Sequence, residues 1–331
     1  VKLDSVGVIG GGAWGTALAQ TLRLAGRDVV IWAREPETVE DINVRRVNSA
    51  FLPGIDLDAG LTATTRLKDI AACDAVLMVA PAQHVRSVAE ELAPHIRPGQ
   101  PVINCAKGIE QTSGKLMGAV IADTLPNAST AVLSGPSFAV DVARGLPVAL
   151  TIASGNEDLG RQLAERLGYK HFRLYWSSDV VGVELGGAVK NVLAIAAGIV
   201  DGKDLGASAH AGLVTRGFAE LRRFGQALGA RPETLMGLSG LGDLVLTCGS
   251  SRSRNMSLGR ALGQGRKLEE ILGSRRSVTE GVYTAAVLVR LARSLRVDMP
   301  IAEGVHAIVE GRLGVDEAIA ALLARPFKAE S

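Results

Sequence analysis

Val6-Gly-Val-Ile-Gly10-Gly-Gly12-Ala-Trp-Gly15-Thr-Ala-Leu-Ala19 sets a short apolar run against a glycine-rich turn and then a helical pattern. In that context the spacing Gly10-x-Gly12-x-x-Gly15 has a mechanical meaning. Gly10 permits the tight turn, Gly12 lets a pyrophosphate approach the backbone, and Gly15 lets helix and strand pack closely. The helix N-terminus then offers N–H groups and the positive end of its dipole to phosphate. This stretch predicts a dinucleotide site on a first βαβ unit. A purely structural glycine turn is the alternative.

Working outward, apolar runs at residues 6–9, 29–33, 75–79, 101–105, 130–133 and 149–153 read as buried strands. Helical patterns such as 14–25 and 85–92 lie between them, which is the signature of a parallel, doubly wound sheet. After about residue 175 the strand rhythm stops. Segments 180–200, 209–228, 280–295, 301–310 and 316–323 are helical in pattern, and Pro232 and Pro300 sit where helices would start. The expected architecture is an α/β, Rossmann-type doubly wound domain over residues 1–178. An all-α domain follows over 179–331, with no internal repeat.

The length, 331 residues, fits two domains at about 150 residues each. Net charge is only +2, from 36 cations and 34 anions, so nothing advertises a nucleic-acid or anionic-membrane partner. The apolar run after Lys190 stops at Asp201, short of the roughly 20 residues of a membrane span. Cys73, Cys105 and Cys248 form no C-x-x-C pair, and the five histidines show no metal-ligand spacing. A first strand at Val6 leaves no room for a signal peptide, so the expectation is a cytoplasmic protein without a metal. An apolar helical domain is compatible with a homodimer, but no spacing specifies one. Only nine cations are lysines against 27 arginines, so a lysine in an apolar stretch stands out.

The second strand ends Trp32-Ala33-Arg34-Glu35. The acid that would bind a ribose 2′-hydroxyl is absent at the expected position, and Arg34 suits a 2′-phosphate. NADP(H) is favoured; Glu35 leaves NAD(H) open.

Lys107 follows a buried strand, where ligands of open α/β sheets bind. Lys190 lies among small and apolar residues in Val183-Glu-Leu-Gly-Gly-Ala-Val-Lys190-Asn, with Gly186 and Gly187 on its helical face. A lysine in such surroundings loses its proton readily, as an acid–base catalyst must. Asp243, in a glycine-rich and otherwise uncharged run, either meets Lys190 or caps a helix. Ser251-Arg-Ser253-Arg254-Asn255 supplies forked and neutral donors for a small phosphorylated metabolite. Ser134-Gly135-Pro-Ser137-Phe-Ala139 suits a crevice wall. The competing readings are structural: a solvated Lys107, a snorkelling Lys190 and surface arginines. Together these residues imply hydride transfer, proton transfer at a carbonyl or alcohol oxygen, and an anionic substrate.

At these motifs the chain resembles the soluble, bacterial-type NAD(P)-dependent glycerol-3-phosphate dehydrogenases. The resemblance runs in order through the segments at 10–17, 48–53, 106–110, 133–139, 183–192, 240–248, 253–255 and 278–281. It implies a 6-phosphogluconate-dehydrogenase-like arrangement of domains. It also implies reversible reduction of dihydroxyacetone phosphate to sn-glycerol 3-phosphate for phospholipid synthesis. Lys190 matches the acid–base residue, with Asp243 and Lys107 beside it. Gly135, Ser137, Asp243, Ser253, Arg254 and Asn255 match substrate positions, the last two a phosphate grip. Gly10, Gly12, Ala13, Trp14, Gly15, Arg34, Lys107, Ala139, Arg254, Val278 and Glu280 match cofactor positions. Ala13-Trp14 replaces the Ser-Tyr or Ser-Phe often found there. Two rivals remain: a β-hydroxy-acid dehydrogenase of the same plan, and a non-catalytic dinucleotide sensor.

Overall fold

The structure, a computed structural model, describes residues 3–273 and 278–326. Among the described residues eight strands form one sheet: β1 (Ser5–Ile9), β2 (Asp28–Trp32), β3 (Thr62–Thr64), β4 (Ala75–Met78), β5 (Pro101–Asn104), β6 (Ser129–Ser134), β7 (Val148–Ala153) and β8 (Phe172–Ser177). Their order is β3-β2-β1-β4-β5-β6-β7-β8. Every residue of β4 and β5 is buried, as expected of strands covered by helices on both faces.

The six expected strands are present, and two more were not anticipated. β3 is three residues long and polar, while β8, at the other edge, leaves Tyr175 and Trp176 exposed. Edge strands lack the continuous apolar run that marks a central one. The sheet is also not wholly parallel, because β7 pairs with β6 antiparallel, Val132 opposite Ala153. The chain between them therefore stays at one end of the sheet, beside the carboxyl ends of β1, β4 and β5. That keeps Gly135, Ser137 and Ala139 at the crevice.

After Ser177 every regular element among the described residues is helical. Helix Val180–Gly202 is the axis of this half: residues 182–200 are all buried. It is longer than the apolar run alone suggests, and by length and composition it would pass for a membrane span. Its most apolar window is wholly buried inside the protein, where it forms the centre of the helical core.

Glycine contacts set how close its neighbours come. Helix Arg254–Gly263 crosses it almost backbone to backbone. A Cβ on Gly198 would stand 2.0 Å from the Met256 carbonyl oxygen, and one on Gly259 would stand 2.0 Å from that of Ile195. Gly198→Ala and Gly259→Ala should each force the helices apart and cost about 1–3 kcal/mol. Gly212, in the exposed part of helix Ala207–Ala227, meets nothing within 4 Å. Gly212→Ala should be neutral or stabilise by up to about 1 kcal/mol. Thermal midpoints check the ordering; equal midpoints for all three variants would refute the packing account.

Candidate active site

The carboxyl ends of the central strands face the Val180–Gly202 helix, and the candidate residues collect in that crevice. At the cofactor end the three glycines differ in what they make possible. Gly10 has φ +130°, and a Cβ there would stand 2.9 Å from the Val79 backbone. A Cβ on Gly15 would stand 1.9 Å from the Gly10 carbonyl oxygen, so the helix can approach its strand only with glycine there. A Cβ on Gly12 would meet nothing within 4 Å, which leaves open space over the turn. Ala13 and Trp14 begin helix Ala13–Leu24 at that space.

Asn48 holds the turn from behind. Its Nδ2 donates to the Gly11 carbonyl and to Thr16 Oγ1, both at 2.8 Å. Asn48 lies in the segment 48–53, which carries no local signal of this contact because its partners are 37 and 32 residues away. At the end of β2, Arg34 is highly exposed and pairs with Glu35 at 3.0 Å.

Asp243 is the electrostatic centre of the site. It is fully buried, 0% exposed, at the start of helix Asp243–Cys248. Its Oδ1 accepts from Lys190 Nζ at 2.6 Å and its Oδ2 from Lys107 Nζ at 2.7 Å. Lys190 is only 7% exposed and also donates to Thr247 Oγ1 at 2.8 Å. Lys107 donates in addition to the Gly135 carbonyl at 3.1 Å. Burial pushes the Lys190 ammonium down, Asp243 pulls it back up and Lys107 adds to the lowering, for a value of about 8. Thr247 lies four residues after Asp243 on the same helix face; that spacing was the available signal for it.

The two glycines beside Lys190 admit protein. A Cβ on Gly186 would strike the Ser239 carbonyl oxygen at 2.2 Å, in the π-helical turn Leu238–Gly242 that delivers Asp243. One on Gly187 would stand 2.7 Å from Ser134 Oγ and 3.3 Å from Lys107 Cγ. Close approach here lets the turn that carries Asp243 and the stem of Lys107 both reach the helix that carries Lys190.

The arginine-rich segment divides its work. Arg252 makes a double ion pair with Asp141, at 2.8 and 2.6 Å, and stacks on Phe138, tying this loop to the segment after β6. Ser253 caps helix Arg254–Gly263, its hydroxyl accepting from the Met256 N–H. The Asn255 amide donates to Asn191 Oδ1 and accepts from the Gly281 N–H. Its side chain thus joins three helices, and the sequence had pointed to Asn255 as a direct donor. Arg254 keeps solvent access, and partial desolvation works against its charge while Glu280 supports it.

Glu280 sits at the start of helix Glu280–Ser294, with Oε1 accepting from the Ala82 N–H at 3.3 Å. Burial pushes its carboxyl up. Glu280 Oε2 and Trp14 Nε1 are buried polar atoms with no hydrogen-bond partner among the described residues. Val278 is exposed just ahead of Glu280, and Ala139 opens helix Ala139–Ala143. Ser137 Oγ donates to the Gly135 carbonyl at 3.2 Å. No group of three or more acidic, histidine or cysteine side chains able to hold a metal occurs among the described residues.

Removing the central carboxylate tests the charge geometry. Asp243→Asn leaves two ammonium groups around a neutral amide and should cost roughly 3–5 kcal/mol of stability, measured by denaturant unfolding. A loss under about 1 kcal/mol would mean that water already screens the pairs.

Comparison with known proteins gives the family of the chain. Residues 5–160 match the family described as NAD-dependent glycerol-3-phosphate dehydrogenase N-terminus, and residues 179–320 match its C-terminus. A glycerol-3-phosphate dehydrogenase [NAD(P)+] of Parvibaculum lavamentivorans is 59% identical over 326 residues, 98% of each chain. One from Caulobacter vibrioides is 57% identical over 331 residues, all of both chains. The crystal structure of a glycerol-3-phosphate dehydrogenase from Coxiella burnetii superposes with a TM-score of 0.94 at 38% identity, covering 98% of this chain and 99% of that one. The chain is therefore an oxidoreductase that belongs to the NAD-dependent glycerol-3-phosphate dehydrogenase family.

Proposed function

We propose that the protein reduces dihydroxyacetone phosphate reversibly to sn-glycerol 3-phosphate, with reduction as the working direction and phospholipid backbones as the product's use. The observation that carries this reading is the buried Lys190–Asp243–Lys107 cluster, with the Arg254 helix packed directly on the Lys190 helix. Residues 1–178 would carry the cofactor and residues 179–331 most of the substrate contacts. A cytoplasmic location accords with three buried, free cysteines.

A bound nicotinamide cofactor supplies the hydride. Gly10, Gly12, Ala13, Trp14 and Gly15 would hold it at the open turn, with Ala139, Val278, Glu280, Arg254 and Lys107 along its length. Arg34 would meet a 2′-phosphate and favours NADPH. Its ion pair with Glu35 must open for that contact, which narrows the preference over NADH.

Lys190 gives its proton to the oxygen of the reduced carbonyl. Two cations and one anion leave the buried cluster at +1, and loss of one proton makes it neutral. Burial therefore favours proton donation, while Asp243 keeps the donor charged until it is needed. Thr247 and Asp243 together fix the direction of Lys190 Nζ. The phosphate would lie at the N-terminus of helix Arg254–Gly263, gripped by Arg254, the main-chain N–H of Asn255 and Ser253. Gly135 and Ser137 line the opposite wall. Holding that remote phosphate orients the reacting carbon.

An NADPH-oxidation assay decides the substrate. Dihydroxyacetone phosphate should be reduced and 2-oxo acids left untouched, with NADPH preferred to NADH; the reverse substrate preference sinks the proposal. In the same assay Lys190→Ala should abolish turnover while cofactor binding persists. Because the charged form of Lys190 donates, kcat/KM for reduction should be flat below pH about 8 and fall tenfold per unit above it. For alcohol oxidation the limb reverses, falling below pH about 8. A reductive rate that keeps rising above pH 9 would contradict the assignment.

A further inference from the structure

Glu184 lies six residues before Lys190 on the same helix and takes no part in the chemistry above. It is buried, and its Oε1 accepts two hydrogen bonds from the sheet half of the molecule. One comes from Asn104 Nδ2 at 2.9 Å, the other from the Gly118 N–H at 2.7 Å. Helix Met117–Thr124 closes on the carboxylate so tightly that a Cβ on Gly118 would stand 3.0 Å from Glu184 Oε2.

Asn104 is the last residue of β5, and its side chain folds over the turn that follows. Oδ1 accepts from the Ala106 N–H at 3.0 Å, while Nδ2 donates to the Ala106 carbonyl at 3.2 Å. The amide thus holds both main-chain groups of the residue before Lys107. From there the Lys107 stem passes Gly187 and reaches Asp243.

An amide in this position has two orientations, related by a flip of its oxygen and nitrogen. The carboxylate oxygen of Glu184 only accepts, so it selects the orientation with Nδ2 facing it. Oδ1 is then directed at the Ala106 N–H. We propose that Glu184 is a positioning residue for the reaction: through Asn104 it sets the Ala106–Lys107 turn and so places the Lys107 ammonium on Asp243. Burial pushes the Glu184 carboxyl up to about 7, against the pull of its two donors. With the proton on Oε2 the other oxygen still accepts, so the function needs an acceptor and not a charge.

That requirement makes the role testable with Glu184→Gln and Glu184→Ala, each made in the unmodified protein and in Lys107→Ala. Glu184→Gln keeps an acceptor oxygen and should stay within about threefold of the unmodified kcat/KM, whereas Glu184→Ala should fall about 10- to 100-fold. NADPH affinity, read by fluorescence titration, should be unchanged in both. In the Lys107→Ala background the alanine change should cost less than about twofold more, because its effect passes through Lys107. Equal losses in both backgrounds overturn the proposal, as does a glutamine variant as impaired as the alanine one. If Glu184→Ala fails to fold, Asn104→Ala breaks the same link from the sheet side and takes its place in the cycle, judged by the same two background comparisons. Because the role rests on the reaction proposed above, the cycle is read on whichever carbonyl substrate the unmodified protein reduces. Failure to reduce dihydroxyacetone phosphate then counts against that reaction alone, and additivity against Glu184 alone.

Discussion

A single buried carboxylate between two ammonium groups governs this molecule. Asp243 is cut off from water, so its charge is tolerable only because Lys190 and Lys107 both reach it. Those lysines come from opposite halves of the chain, one from the central helix and one from the turn after β5. The ion-pair cluster is therefore also a seam. Forming the site and docking the helical half against the sheet are the same event, and neither is complete without the other.

The seam demands close backbone approach, which the sequence meets with glycine. Gly186 receives the turn that delivers Asp243, and Gly187 receives the Lys107 stem. Farther along the same helix Gly198 receives the Arg254–Gly263 helix, whose first turn carries Ser253, Arg254 and Asn255. One helix thus sets the spacing of the proposed proton donor, its counter-charge and the candidate anion grip. Secondary ties hold the rim: Arg252 to Asp141 across the crevice mouth, and Asn255 to Asn191 and Gly281 beneath it.

Much of this was legible in the sequence because it rests on local rules. Gly10-x-Gly12-x-x-Gly15 gave the first turn, since the steric demands of that turn act on adjacent residues. Central strands such as β4 and β5 showed as continuous apolar runs because both their faces are buried. What stayed hidden depends on partners distant in the chain. β8 is held by pairing with β7 and carries an exposed aromatic face, so it reads as loop. The antiparallel turn at β6–β7 leaves no periodic trace. Glu184 has no local signal of its role, because its partners are 80 and 66 residues away. Asn255 has donors suited to an anion, and only the fold shows that one amide N–H and the amide oxygen also tie neighbouring helices together.

The lopsided use of cations follows from what each can do. A guanidinium holds its charge at any ordinary pH and offers a rigid fork, so it suits fixed tasks. Arg252 on Asp141 and Arg86 on Glu110 are of that kind, each a two-point grip on a carboxylate. An ammonium on a flexible stem can be brought down to a value near 8 by burial and a like charge, and it can then give up its proton. Placing two of only nine lysines around one hidden aspartate suits the proton to be the mobile charge in the proposed reaction. The second lysine raises the tendency of the first to let go, and the aspartate limits how early it does so. An arginine at position 190 would preserve the ion pair, yet it would lock the cluster in its charged state and leave no proton to transfer.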